Sequence, residues 1–234
     1  MKVKYLIALL CFFFTGCAFA QNTDTDPYES FNRAMYKFNE FMDKILFKPV
    51  ATGYQKVLPS PVRTGVTNIF NNIDMVPTVF NDALQGDSYC VGRDSWRFLI
   101  NTTAGVGGIF DVAKHLDLPP HHEDFGLTLV KWGYQDSRYL VLPFLGPSTI
   151  RDTLSKPIDY GTSMYPYIDD DTTAYTIYGT DVINTRANLL QYDNVLKQAF
   201  DPYVFVRNAY LQRREGSSDG KVQAQGSSLA ISRE

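Results

Sequence analysis

The chain has 234 residues, 44% of them apolar, and a formal net charge of −3. That balance lacks the basic excess that marks a nucleic-acid partner, so no nucleic acid is expected. Three cysteines are too few for the disulfide framework of a small exported protein.

Export is nevertheless written at the start. Lys2 and Lys4 precede an unbroken apolar run from Tyr5 to Phe14. Such a run suits a secretory signal and falls short of the roughly 20 residues that span a bilayer. Two processing patterns overlap in FFFTGCAFAQ. A cut before Cys17 leaves an acylatable cysteine, whereas a cut after Ala20, at Ala18-Phe19-Ala20, leaves an unanchored chain beginning at Gln21. The first cut removes residues 1–16 as a lipoprotein signal peptide and leaves 218 residues, with 17–25 as a short tether. Losing Lys2 and Lys4 takes the charge from −3 to −5. Later in the chain the longest apolar run, Tyr139–Leu145, is interrupted by Pro143, and no crossing helix is expected. Cys90, between Tyr89 and Val91, reads as a buried thiol.

Asp26-Pro27-Tyr28-Glu29 has the form of a helix start, with Asp26 as cap and Pro27 in the first turn. Phe31, Met35, Phe38, Met42 and Ile45 then recur at helical spacing, a stripe that faces either a membrane or the core. Ser60-Pro61 opens a second helix, with Val62, Val66, Ile69 and Ile73 on one face. Pro77 opens a third, which Gly86 stops. A fourth runs from about Asp87 to Thr102. The segment from Asn101 to Pro147 is rich in Gly and Pro and reads as turns and short helices. Asp169-Asp170-Asp171 precedes a long helix through Leu189, and Asp201-Pro202 caps a last one that reaches about Arg214. Residues 215–234 are small and polar and read as a disordered tail. Alternation of period two is scarce, so the fold is read as mainly α.

Catalytic and metal signatures are weak. Gly216-Ser217-Ser218-Asp219-Gly220 matches the pattern of a nucleophile elbow but lies in the polar tail, without the strand the elbow needs. Gly105-Val106-Gly107-Gly108 lacks the third spaced glycine of a dinucleotide loop and reads as a turn or a pliable segment. His121-His122-Glu123-Asp124 has metal-binding residue types. Neighbouring histidines on an extended backbone point apart, however, and no partner His lies three or four residues away. The stretch reads as a solvated loop. No cofactor, no metal and no enzymatic activity are expected.

Longer motifs are more specific. Asp26-Pro-Tyr-Glu-Ser-Phe-Asn-Arg-Ala-Met-Tyr-Lys-Phe-Asn39 closely resembles the opening signature of the MlaA (VacJ-like) outer-membrane lipoproteins. The likeness continues through Lys48–Ala51, Leu58–Arg63, Leu84–Asp87, Arg97–Thr103, Gly105–Ala113, Glu123–Gly126 and Leu142–Thr149. It closes with Arg151-Asp152 and Asp201–Arg214, and so covers residues 26–214. The resemblance implies a single ring-like bundle of amphipathic helices with a Gly/Pro-rich central segment, seated in the inner leaflet of the outer membrane on its periplasmic face. It implies a polar-lined passage, association with trimeric porins, and delivery of stray outer-leaflet phospholipids to the periplasmic carrier MlaC. It also favours acylation of Cys17, with Phe14 departing from the usual lipobox leucine. Gly105, Gly107 and Gly108 become candidate hinges beside the lipid path.

Overall fold

In the computed structural model, which describes residues 26–134 and 137–218, α1 spans Glu29–Met42. It continues through a π-helical turn, Asp43–Phe47, into α2, Lys48–Val57. Pro49 explains the widened turn. Proline cannot donate to the carbonyl four residues back and its ring crowds that carbonyl, so a helix carrying one must loosen or kink there. The expected Asp26 cap is not formed. α1 starts after Tyr28, and the wholly buried Asp26 carboxylate accepts from Asn32 (2.8 Å), Arg207 (3.2 Å) and the Tyr203 hydroxyl. Arg207 and Tyr203 lie far along the chain, and a fully desolvated carboxylate is better satisfied by such partners than by one helix end.

Helices α3 (Ser60–Ile73), α4 (Met75–Gln85) and α5 (Ser88–Thr103) follow closely. α4 begins two residues before Pro77 and ends at Gly86, whose φ of 74° suits the left-handed cap. Asp87 caps α5 by accepting from the Cys90 amide at 3.0 Å. The central segment holds a 3₁₀ turn at Ala113–Leu116 and a short helix, α6 (Phe125–Lys131), capped by Asp124. It also holds a hairpin unexpected from the sequence, β1 (Tyr139–Leu142) and β2 (Gly146–Thr149), in which Tyr139 opposes Thr149 and Leu142 opposes Gly146. The strands are only four residues long, too short for an alternation to show. Helices α7 (Ile150–Thr162), α8 (Asp171–Leu189), α9 (Asp193–Gln198) and α10 (Pro202–Ser218) complete the chain. Asp170 caps α8, accepting from the Thr173 amide at 2.7 Å, as the acidic run implied. α10 extends four residues past the expected end at Arg214.

The hairpin is held by side chains imitating a strand. Asn32 donates to the Tyr139 carbonyl (3.1 Å) and accepts from the Val141 amide (2.8 Å). Two turns on, Asn39 donates to the Leu142 carbonyl (2.9 Å) and accepts from the Phe144 amide (2.7 Å). An amide side chain carries the same donor and acceptor as a peptide, so two asparagines of α1 satisfy the outer edge of β1. Tyr139 and Val141 pack with Tyr203 of α10, and Met35, Tyr36 and Tyr210 surround them.

The neighbour relations close on themselves. α1 packs on β1, β1 pairs with β2, β2 meets α10, and α10 meets α6. α6 packs on α4, α4 on α3, α3 on α8 and α8 on α2, which the π-turn joins back to α1. This circuit is the ring-like bundle expected above.

Candidate functional site

Burial in this fold is inverted. Among the described residues, 19 buried positions are polar or charged and only 12 are apolar, while 31 large apolar or aromatic side chains are exposed. A water-soluble domain buries its large apolar residues and keeps charge outside, and extended exposed apolar surface marks an interaction with lipid or protein. One strip runs along the α1–α2 rod: Phe41, Ile45, Leu46, Val50 and Val57 are all exposed. No described helix is long and apolar enough to cross a membrane.

The predicted stripe divides between the two environments. Met35 joins the Tyr139–Tyr203 core, Phe31 and Met42 are half-buried, and Phe38 and Ile45 are exposed. Phe38 sits edge-on to Phe144 at the hairpin tip, with ring centroids 5.1 Å apart. The candidate hinge glycines lie elsewhere, in the turn after α5. Gly105 and Gly108 are tightly enclosed: a Cβ on Gly105 would stand 2.2 Å from the Phe110 carbonyl oxygen, and one on Gly108 would stand 2.7 Å from Asn72. Gly107 has open space but a φ of +69°. Next to it, Val106 holds a φ of 54°. A β-branched residue there is strained and persists only where its surroundings impose the conformation. The result is an apolar tip, with Val106 and Phe110 each 61% exposed. Cys17 and residues 219–234 of the expected tail lie outside the described residues.

A cleft of about 380 Å³ opens between the α3–α4 junction, α5, the 120–124 loop, α6 and α10. Asp74, Arg97, His121, His122, Arg213 and Arg214 line it. Arg97 is buried and donates to Asp111 at 2.7 Å. Burial pushes Asp111 upward, but hydrogen bonds from Arg97 and Asn101 outweigh it and hold the carboxyl below its usual range. Arg214 donates to Asp124 (3.0 Å) and to Asp152 (2.7 Å), drawing α10 onto α6 and α7. Burial raises Asp124, and Arg214 more than reverses that. Arg213 and His122 stay exposed at the cleft, Arg213 with its guanidinium 5.9 Å from the Tyr210 ring centre. The cleft therefore offers a charged group polar partners in Arg213 and His122, the two lining residues named here that stay exposed.

The loop from His121 to Asp124 is not solvated as the sequence suggested. His121 and Glu123 are buried and His122 is exposed, so the adjacent histidines do point apart. His121 Nδ1 lies 2.5 Å from Asp94 Oδ2, and Nε2 lies 3.2 Å from Glu123 Oε1. Burial works against a charged ring here, but these two carboxylates prevail and raise it to about 9. Asp94 is contributed by α5, a partner that no local spacing in the sequence could reveal. Cys90 lies close by, but burial pushes its thiol up to about 12 and both ring nitrogens are engaged, so no base is available to make a thiolate nucleophile.

Residues 24–217 match the family profile described as MlaA lipoprotein. The chain belongs to the MlaA lipoprotein family. MlaA proteins of Escherichia coli (strain K12) and Shigella flexneri, each named intermembrane phospholipid transport system lipoprotein, are 36% identical over 233 residues, covering 94% of this chain and 90% of theirs. A Rickettsia bellii relative without a functional name is 37% identical over 195 residues, 82% of this chain and 76% of its own. A solved structure presented as "Structural basis for maintenance of bacterial outer membrane lipid asymmetry" superposes with a TM-score of 0.73 at 33% identity. It covers 83% of this chain and 99% of that one. The mainly helical MlaA fold is thus shared.

Proposed function

We propose that this protein is an intermembrane phospholipid-transport lipoprotein of the outer membrane. Anchored at the periplasmic face through acylated Cys17, it removes phospholipids that have strayed into the outer leaflet and passes them to the periplasmic carrier MlaC. Trimeric porins are its neighbours in the membrane. The observation that carries this reading is the inverted burial: apolar side chains outside, and an ion-paired cleft within. Dragging a charged head group through hydrocarbon costs several kcal/mol even after partial compensation. A cleft in which Arg213 and His122 stay exposed lowers that barrier for a phosphate while acyl tails stay against the apolar exterior. No covalent intermediate is required. The named function of the Escherichia coli and Shigella flexneri relatives supports the reading, and a flexible element in the 104–108 turn would rest on Gly107, the unenclosed glycine there.

Deleting the gene should raise outer-leaflet phospholipid and detergent sensitivity, and the wild-type gene should restore both. A clean deletion that changes neither would overturn transport. Porin co-purification that persists with no lipid transfer to the carrier would instead favour a purely structural role beside the porin.

The apolar strip gives a second test. Ile45→Asp with Leu46→Asp should weaken binding of the unacylated chain to phospholipid vesicles at least tenfold, measured by vesicle flotation, because each buried charge at a lipid surface is heavily penalised. Unchanged flotation would remove this strip from the lipid-facing surface.

A further inference from the structure

We propose that Asp82, Cys90 and His121 form a divalent-metal site, with zinc the ion its donors suit, behind the wall of the cleft. The three residues are each buried, and a carboxylate oxygen, the Cys90 sulfur and a ring nitrogen all lie within 4.8 Å of one another. His121 Nδ1 stands 3.9 Å from Asp82 Oδ1. Ligand atoms of a tetrahedral zinc site with bonds of 2.0–2.3 Å are separated by roughly 3.3–3.6 Å, so about an ångström of inward movement closes the set. Thiolate, imidazole and carboxylate together are zinc's preferred donors.

A second observation points the same way. Asp82 Oδ2 is buried without any hydrogen-bond partner, although the side chain is almost wholly removed from solvent. Such an orphaned acceptor in a native interior calls for an explanation, and an unplaced ion is one of the recognised ones. Charge agrees as well. Three buried carboxylates, Asp82, Asp94 and Glu123, crowd one imidazole, while Arg93 is committed to Asp94 at 3.0 and 3.1 Å.

The surrounding bonds define how the ion would be held. Glu123 accepts from Nε2 of His121, so Nδ1 is the nitrogen that would turn from Asp94 to the metal. Glu123 is itself fixed by Gln85 at 2.9 Å. Once Nδ1 binds metal, Asp94 loses its hydrogen bond to the ring and keeps its pair with Arg93. Ion binding then ties α4, α5 and the 120–124 loop together, the last of which lines the cleft. This inference stands apart from the transport reading and does not depend on it.

The test uses the full mature chain in detergent, stripped of metal with a chelator and titrated with Co²⁺. The expected result is one equivalent bound, with a thiolate-to-cobalt charge-transfer band and the intense visible bands of a tetrahedral ion, both removed by added Zn²⁺. Cys90→Ser should abolish the charge-transfer band, and Asp82→Asn should weaken binding at least tenfold. Glu123→Gln, which leaves all three ligands in place, should weaken it roughly 10–100-fold. Zn²⁺ should also raise the unfolding temperature of the wild type but not of Cys90→Ser. Only weak octahedral absorption, or a charge-transfer band that survives Cys90→Ser, would overturn the site.

Discussion

Gly105→Ala should abolish stable folding or cost at least about 4 kcal/mol, because the added methyl has nowhere to go. It would stand 2.2 Å from the Phe110 carbonyl oxygen, 2.3 Å from that of Asn101 and 2.9 Å from the Asn101 Cα. All three are backbone atoms, so no side chain can rotate aside. Relief requires breaking the bonds that shape the turn: Phe110 N–H to the Gly105 carbonyl (3.0 Å) and Gly108 N–H to the Asn101 carbonyl (2.8 Å). Asn101 also holds Asp111 and the Ala113 amide, so the disturbance reaches Arg97 in the cleft wall. Gly107→Ala is the control. Its methyl meets nothing, and only the positive φ is penalised, by about 1–2 kcal/mol. Denaturant unfolding of both variants in detergent measures the difference. A Gly105→Ala protein as stable as Gly107→Ala would show that the turn yields readily.

Asn32→Ala should remove about 3–5 kcal/mol, a large part of a typical domain's stability. Asn32 is completely buried and makes three bonds, to Asp26, to the Tyr139 carbonyl and from the Val141 amide. Truncation leaves a strand donor and a strand acceptor orphaned in the interior, each costing about 1–3 kcal/mol. The Asp26 carboxylate loses a donor at the same time. Asn39→Ala, at the half-buried end of the same strand, should cost clearly less, since Phe144 is exposed and water can replace the bond to its amide. Equal losses from the two variants in an unfolding titration would mean that burial does not set the strength of this clamp. Loss of amide-exchange protection confined to 139–149 in Asn32→Ala would locate the damage in the hairpin.

Much of the helical framework is legible in the residues. Gly86 as a left-handed stop, Asp87 and Asp170 as caps, and the stripe of α1 are local signals, and local physics fixes them. Other features were hidden for definite reasons. The hairpin strands are too short and too fully buried to alternate, and the edge that stabilises β1 is supplied by asparagines more than 100 positions away. The start of α1 departs from its local signal because Asp26 has better partners in α10 than in its own helix. The burial of the His121 loop is not legible locally, because Asp82 and Asp94, the groups that make it a buried ionic cluster, come from α4 and α5.

By itself the sequence determined the helical class, several of the helix caps and the family likeness, because each depends on contiguous residues and their spacing. Only the tertiary structure decided which side of the molecule is apolar, which arginines share one cleft and which acids surround His121 and Cys90. Those properties arise from burial and from charges brought close across long stretches of chain, and neither quantity exists until the ring of helices has closed.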